Sequence, residues 1–215
     1  MKIGIIGSGI VGQTLARAFQ QEGYTVQLGS RNPDKEELIR FKKENPGIKT
    51  GTFEETASDG EILVLATGGA VTTEAIQLAG LSNFSGKTVI DATNPIAAAP
   101  PQNGVLKFFT DLNESLMEKL QQLLPEAKIV KAFNSVGNAL MYKPSLPGGP
   151  PTMFICGNDE EAKKTVSGIL ISFGWEIADM GKAEAARVIE PLCILWCIPG
   201  FINNQWMHAF KLLKA

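Results

Sequence analysis

The sequence predicts an α/β protein built on a doubly wound parallel sheet, with a helical extension at its C-terminal end. Three observations carry that reading. Strand-like and helix-like segments alternate through about the first 180 residues, the pattern of a parallel sheet with crossover helices. Gly7-Ser8-Gly9-Ile10-Val11-Gly12 follows a strand and opens a helix, the setting in which G-x-G-x-x-G signals dinucleotide binding. Ile62-Leu63-Val64-Leu65-Ala66 is apolar throughout, as expected of a strand covered on both faces.

The N-terminal βαβ unit organises the rest. Lys2 to Ile6 is the first strand. Gln13 to Glu22 reads as a helix with Leu15, Ala16 and Phe19 on one side, stopped by Gly23, and Tyr24 to Leu28 is the second strand. Each fingerprint glycine has its own reason. Gly7 permits the tight turn off the strand, Gly9 lets a pyrophosphate approach the backbone, and Gly12 lets the helix lie close to the strand. The free amides near Ser8, Gly9, Ile10 and Val11 meet the diphosphate with their partial positive charge.

The end of the second strand selects the nucleotide. An NAD site carries a carboxylate there for the ribose hydroxyls. Between Tyr24 and Pro33 this chain has no acid; it has Ser30, Arg31 and Asn32, with Lys35 one turn into the next predicted helix. A guanidinium fork and a hydroxyl suit a 2′-phosphate. The reading is therefore NADP(H) rather than NAD(H).

The remaining elements follow in order. Pro33 starts a charged helix that runs to about Glu44 and ends at Asn45-Pro46-Gly47, with Pro in its first turn and acids near its positive end. Thr52 to Ser58 is a helical turn feeding the strand Ile62 to Ala66, and Val71 to Ala79 is the next helix. Thr88 to Ala92 is a strand, and Ala97 to Gly104 a loop. Thr110 or Asn113 caps a helix running to Leu124. Strands Lys128 to Phe133 and Thr152 to Cys156, the helix Asp159 to Phe173 and a short strand at Glu176 to Ala178 come next. Two last helices, Lys182 to Trp196 and Phe201 to Leu213, are expected to be split by Pro199-Gly200. This divides the chain into a nucleotide-binding domain, 1–180, and a helical segment, 181–215. Ligands of such sheets lie outside the carboxyl ends of the strands. Gly7 to Gly12, Ser30-Arg31, Thr67-Gly68, Asn94-Pro95 and Asn134-Ser135 should therefore line one cleft.

Composition excludes several classes. The 215 residues are 44% hydrophobic and 20% charged, with net charge −2, and no long basic run suggests nucleic acid. The chain opens directly on a strand, so no secretory leader is expected. The longest apolar stretch, Leu192 to Ile202, is short for a membrane span and carries Pro199-Gly200, so no membrane partner is expected. Cys156, Cys193 and Cys197 form no framework and point to a reducing, cytoplasmic compartment. Cys193 and Cys197 share a helix face but read as packed thiols, and no metal site is expected.

The chain resembles the NADPH-dependent reductases of the deazaflavin coenzyme F-420 and the bacterial dinucleotide-binding proteins grouped with them. The same nucleotide domain is appended to some eukaryotic membrane metalloreductases. The resemblance rests on Ile3 to Gly12, Gly29 to Asn32, Asp91 to Pro95, Lys131 to Asn134, Cys156 to Asp159 and Arg187 to Leu195. It implies diphosphate contacts from Ser8, Gly9, Ile10 and Val11, and 2′-phosphate contacts from Ser30, Arg31 and Lys35. It also implies hydride transfer to a small-molecule acceptor, coenzyme F-420 or a flavin, and a homodimer. The segments Asp91 to Pro95 and Phe133 to Gly137 depart from the family pattern on the acceptor side.

Hydride transfer between nicotinamide and a flavin-like ring needs positioning above all. No catalytic acid or base is therefore assigned, and Asn94 and Asn134 are the candidates for hydrogen bonds to nicotinamide or acceptor. A small imine or carbonyl substrate would need a proton donor. Lys131 with Asn134 has the spacing of one, although a lysine within a strand is poorly placed. Arg187 and Glu190 read as a surface pair on one helix. A non-catalytic NADP(H)-binding sensor is the reading from another class. The apolar tail Val188 to Phe210 reads as a dimer interface that also walls the acceptor pocket.

Overall fold

The computed structural model describes residues 1–214. Strand β1 (Lys2–Ile6) leads through α1 (Ile10–Gln21) to β2 (Thr25–Gly29), then through α2 (Glu36–Glu44) to β3 (Ile48–Gly51). The chain returns by α3 (Phe53–Asp59) to β4 (Ile62–Leu65), and continues through α4 (Gly69–Ala79) to β5 (Thr88–Asp91). After a long connection come α5 (Leu116–Leu123), β6 (Lys128–Lys131), β7 (Thr152–Gly157), α6 (Glu160–Ser172) and β8 (Glu176–Asp179). Helices α7 (Ala186–Ile189) and α8 (Leu192–Asn203) follow.

The eight strands form one sheet in the order β3-β2-β1-β4-β5-β6-β7-β8. The order reverses between β1 and β4, which opens a crevice beyond their carboxyl ends. Strands β1 to β6 are parallel neighbours. Only β7 runs against its neighbour β6, with Lys131 opposite Cys156. The expectation of a parallel sheet therefore holds up to β6, and the β7–β8 pair is added in the opposite sense.

Two apolar layers cover the sheet. Leu15 and Phe19 of α1, Leu38 and Phe41 of α2, and Val166 and Leu170 of α6 fill one face. Phe53 of α3, Ile76 of α4, Leu120 of α5 and Ile189 of α7 fill the other. Burial of such stripes is what holds these short helices.

Several boundaries differ from the sequence expectation, each for a local reason. Helix α1 starts at Ile10 rather than Gln13, with Gly9 as its N-cap. Helix α2 starts at Glu36 rather than Pro33, because the Asn32 side chain accepts from Asp34 N at 3.1 Å and holds residues 32–34 in a turn. Lys35 is thus the N-cap residue rather than a residue inside that helix. Strand β3 was not expected; its four residues lie directly after the Asn45-Pro46-Gly47 break and carry a single large apolar side chain, Ile48. Neither Thr110 nor Asn113 caps α5; Ser115 does, in a capping box with Glu118.

The tail differs most. Pro199 lies inside α8 rather than ending it. The helical run 183–203 is therefore long and apolar enough to cross a membrane by length and composition, against the expectation of a broken segment. Its attachments are to the sheet domain: Glu190 inserts into the protein interior, and the Trp196 ring lies on Gly137. The predicted helix Phe201 to Leu213 does not form. The chain reverses at Asn204, which has a left-handed backbone, and Trp206 packs on Gly200. Residues 210–212 then run along β7, where Thr152 N donates to Phe210 O at 2.9 Å.

Candidate functional site

A cavity of about 370 Å³ lies at the switch point of the sheet. Nine of the sequence-predicted residues line it: Gly7, Ser8, Gly9, Ser30, Arg31, Asn32, Lys35, Thr67 and Gly68. Its remaining wall is Phe53, Ala66, Val71, Glu74, Ala75 and Leu78. These last residues were not picked from the sequence. A usable signal was there: Val71, Ala75 and Leu78 repeat at helical spacing, yet Val71 and Leu78 are exposed large apolar residues.

The glycine turn is built as its spacing implies. Gly7 has φ +126°, and a Cβ there would press on the Ala66 carbonyl. A Cβ on Gly12 would overlap the carbonyl oxygen of Gly7, so α1 can approach β1 only through a glycine. Gly9 has no atom within 4 Å of the place its Cβ would occupy. Its face is open towards the cleft. Ile10 is exposed and Val11 half-buried at the head of α1.

Three of the helices around the cavity, α1, α2 and α4, with N-cap residues Gly9, Lys35 and Gly68, start without a side-chain cap. Helices α3, α5 and α6 are capped by Thr52, Ser115 and Asp159. Uncapped first-turn amides leave donors and the positive end of the helix dipole available to an anion. The first turns of α1 and α4 also carry no acid.

At the other end of the cavity the Ser30 hydroxyl is buried and bonded to the backbone of Asn32, donating to its carbonyl at 3.0 Å and accepting from its amide at 3.2 Å. This fixes the loop that carries Arg31. The guanidinium reaches across to Glu74 on α4, 3.1 Å away, and Lys35 lies 3.3 Å from Glu37. The side chain of Thr67 shares a hydrogen bond with Thr72 at 2.9 Å, which pins the turn into α4.

Asn94, Pro95 and Asn134 are not on this cavity's wall. They lie further along the same sheet edge. A Cβ on Gly69 would overlap the Asn94 carbonyl, so the two turns touch. Asn94 and Asn134 are brought together: Asn94 Nδ2 donates to Asn134 O at 2.7 Å, and Asn134 Nδ2 donates to Ile189 O at 2.9 Å. Asn134 Oδ1 is buried and has no partner among the described residues, an acceptor left open beside Asn94. Pro95 is buried, and its carbonyl accepts from Phe109 N at 2.9 Å, so its role is to hold the following loop. Phe133, just before Asn134, has φ +63° and is buried. A non-glycine residue pays for that conformation, and it aims the chain at Asn134.

Lys131 is removed from consideration as a proton donor. Its ammonium is fully buried between Asp91 Oδ2 at 2.7 Å and Glu190 Oε1 at 2.8 Å, and it donates to Thr93 O at 2.9 Å. Burial alone would lower its pKa; the two carboxylates outweigh burial and hold it above its ordinary value. Glu190 also accepts from the amides of Leu116 and Met117, both at 3.0 Å, at the start of α5. The expected Arg187–Glu190 surface pair does not exist: Glu190 points inward, and Arg187 forks onto Glu118 with contacts of 2.6 to 3.1 Å. Cys156 is buried, and burial pushes its thiol up to about 12. Cys193 is buried and Cys197 half-buried.

Comparison with known proteins places this geometry. Residues 2–95 match the family model described as NADP oxidoreductase, coenzyme F-420-dependent. The F-420-dependent NADP reductase of Methanocaldococcus jannaschii is 30% identical over 202 residues, covering 89% of each chain. Metalloreductase STEAP3 of Rattus norvegicus is 32% identical over 203 residues, which are 92% of this chain but 38% of that protein. The chain therefore spans well under half of that longer relative. A crystal structure from Arthrobacter sp. FB24, provisionally named an F-420-dependent NADP reductase, superposes over the whole of both chains with a TM-score of 0.93 at 31% identity.

Proposed function

The chain belongs to the family of coenzyme F-420-dependent NADP oxidoreductases, and from that membership we propose that it transfers hydride between NADP(H) and a deazaflavin or flavin-type acceptor. The observation that carries this is the cavity at the switch point, with the uncapped head of α1 at one end and Arg31 and Lys35 at the other. The residues present fit the nucleotide. The head of α1 takes the diphosphate, the open face of Gly9 admits it, and Arg31 with Lys35 takes a 2′-phosphate. The exposed side chains of Val71 and Leu78 offer an apolar surface for the base.

Bound there, NADPH supplies the hydride. The chain's own part is to position and to exclude water. Asn94 and the open Oδ1 of Asn134 provide polar contacts for the nicotinamide or its partner. Lys131 is fully buried and paired on two sides, which removes the lysine considered as a proton donor for an imine or carbonyl substrate and supports a flavin-like acceptor.

We propose further that the protein is a cytoplasmic homodimer. Its cysteines are free, in keeping with a reducing compartment. Val188, Leu195 and Ile202 repeat every seventh residue along the C-terminal helical run and are 63%, 54% and 58% exposed. A solvent-facing apolar stripe at that spacing suits a second copy of the helix.

The test follows NADPH oxidation by the purified protein with coenzyme F-420, FMN and FAD in parallel. Turnover with the deazaflavin or a flavin is the expected result and identifies the acceptor. Tight NADPH binding without oxidation by any of the three overturns the proposal in favour of a small imine or carbonyl substrate, or a sensor. Loss of turnover on Asn94→Ala would point the same way if it came without loss of NADPH binding.

A further inference from the structure

The cavity is spanned at its 2′-phosphate end by an ion pair. Arg31 stands on the loop between β2 and α2, Glu74 on α4, and both line the cavity. Their side chains meet at 3.1 Å while remaining 64% and 53% exposed. Lys35, the other cation at this end, is likewise occupied by Glu37 at 3.3 Å. The cations assigned to the phosphate are therefore already holding carboxylates. Among the described residues Glu74 is also the one acid on the cavity wall, and it sits on α4 rather than at the end of β2, where a carboxylate would serve the ribose hydroxyls of NAD(H).

We propose that Glu74 is a specificity-determining residue: it holds Arg31 across the cavity as an internal competitor that only a 2′-phosphate displaces. The inference rests on the NADP(H) reading and deepens it. A solvent-exposed pair of this kind is weak, and a phosphate monoester carries nearly two negative charges with three strong acceptor oxygens. It therefore outcompetes one carboxylate for the guanidinium fork. NAD(H) brings no anion to that position. NAD(H) leaves the pair closed and bears no cost of opening it. The pair therefore weakens NADP(H) binding and leaves NAD(H) binding unchanged, so Glu74 sets how far Arg31 separates the two nucleotides.

The experiment measures dissociation constants for NADPH and NADH by titration calorimetry. It uses the unmodified protein, Glu74→Gln, Arg31→Ala and the double variant, with thermal melts as a check on folding. Glu74→Gln is expected to bind NADPH about three- to tenfold tighter and NADH within about twofold of the unmodified protein. The gain should shrink at about 0.5 M salt and vanish when Arg31 is Ala. Weaker binding of either nucleotide by Glu74→Gln overturns the proposal, because Glu74 would then be a ligand rather than a competitor. A gain of equal size without Arg31 overturns it too, because simple repulsion would explain it. If the unmodified protein binds NADPH and NADH equally, the 2′-phosphate reading itself fails and the proposal with it.

Discussion

Lys131 joins distant parts of the chain in one buried contact. It pairs with Asp91 across neighbouring strands and with Glu190 from the C-terminal helical run, all three fully or almost fully buried. Truncating one partner strands the others in a medium that cannot solvate them. Lys131→Met should cost roughly 3–5 kcal/mol of stability, read from urea unfolding. A second residue makes a pH prediction. Glu118 is held at about 2, below its ordinary 4.5, first by the hydrogen bonds from Arg187 and then by those from Ser115. A depressed carboxylate stabilises the fold above its unfolded pKa, so this contribution is intact above pH 4.5 and fades as pH falls towards 2. Arg187→Ala should flatten the loss of stability over that window, measured by chemical unfolding at stepped pH. Neither contact was legible from the sequence. Arg187 and Glu190 have the spacing of a helix pair, and periodicity says nothing about partners from distant segments.

At the scale of the element, the glycine turn separates folding from binding. Gly12→Ala meets the Gly7 carbonyl and Gly9→Ala meets nothing. Gly12→Ala should therefore lower the melting temperature, while Gly9→Ala should keep it and weaken NADPH binding on the order of tenfold; calorimetry of both variants distinguishes the two effects. This turn was readable in advance because its constraint is local: strand, turn and helix are contiguous. The same holds for the apolar strand β4 and for the loop of Ser30 and Arg31. Elements decided by distant packing were not readable. Strand β3 has four residues and a single strong apolar side chain, and its pairing with β2 supplies what its sequence lacks. Pro199 suggested a break, but Gly200 beside it leaves room for the Trp206 ring, and Trp196 seats on Gly137. Those contacts carry α8 past a residue that costs a helix about 3 kcal/mol. Beyond Asn204 the apolar residues that suggested another helix instead fold back as a strip against α8 and β7.

At the scale of the whole molecule, the sheet carries the cavity and the C-terminal run carries the exposed apolar stripe proposed as a dimer surface. If the stripe joins two copies as proposed, Leu195→Asp should abolish self-association without touching the cavity, because Leu195 is half exposed and absent from its wall; sedimentation velocity with NADPH titration on the same sample tests both halves of that statement. The three-part ionic centre also ties the C-terminal run to the sheet. Asp91 and Lys131 are register partners on adjacent strands, so they meet where β5 and β6 pair, and that contact is electrically balanced. Glu190 comes from much later in the chain and brings a second carboxylate to a centre with one cation. The Leu116 and Met117 amides receive the excess charge, and they can do so only once α5 is in place. The seat of the C-terminal helix is thus complete only where β5, β6 and the start of α5 come together, so the exposed stripe it carries is held in place by the sheet domain.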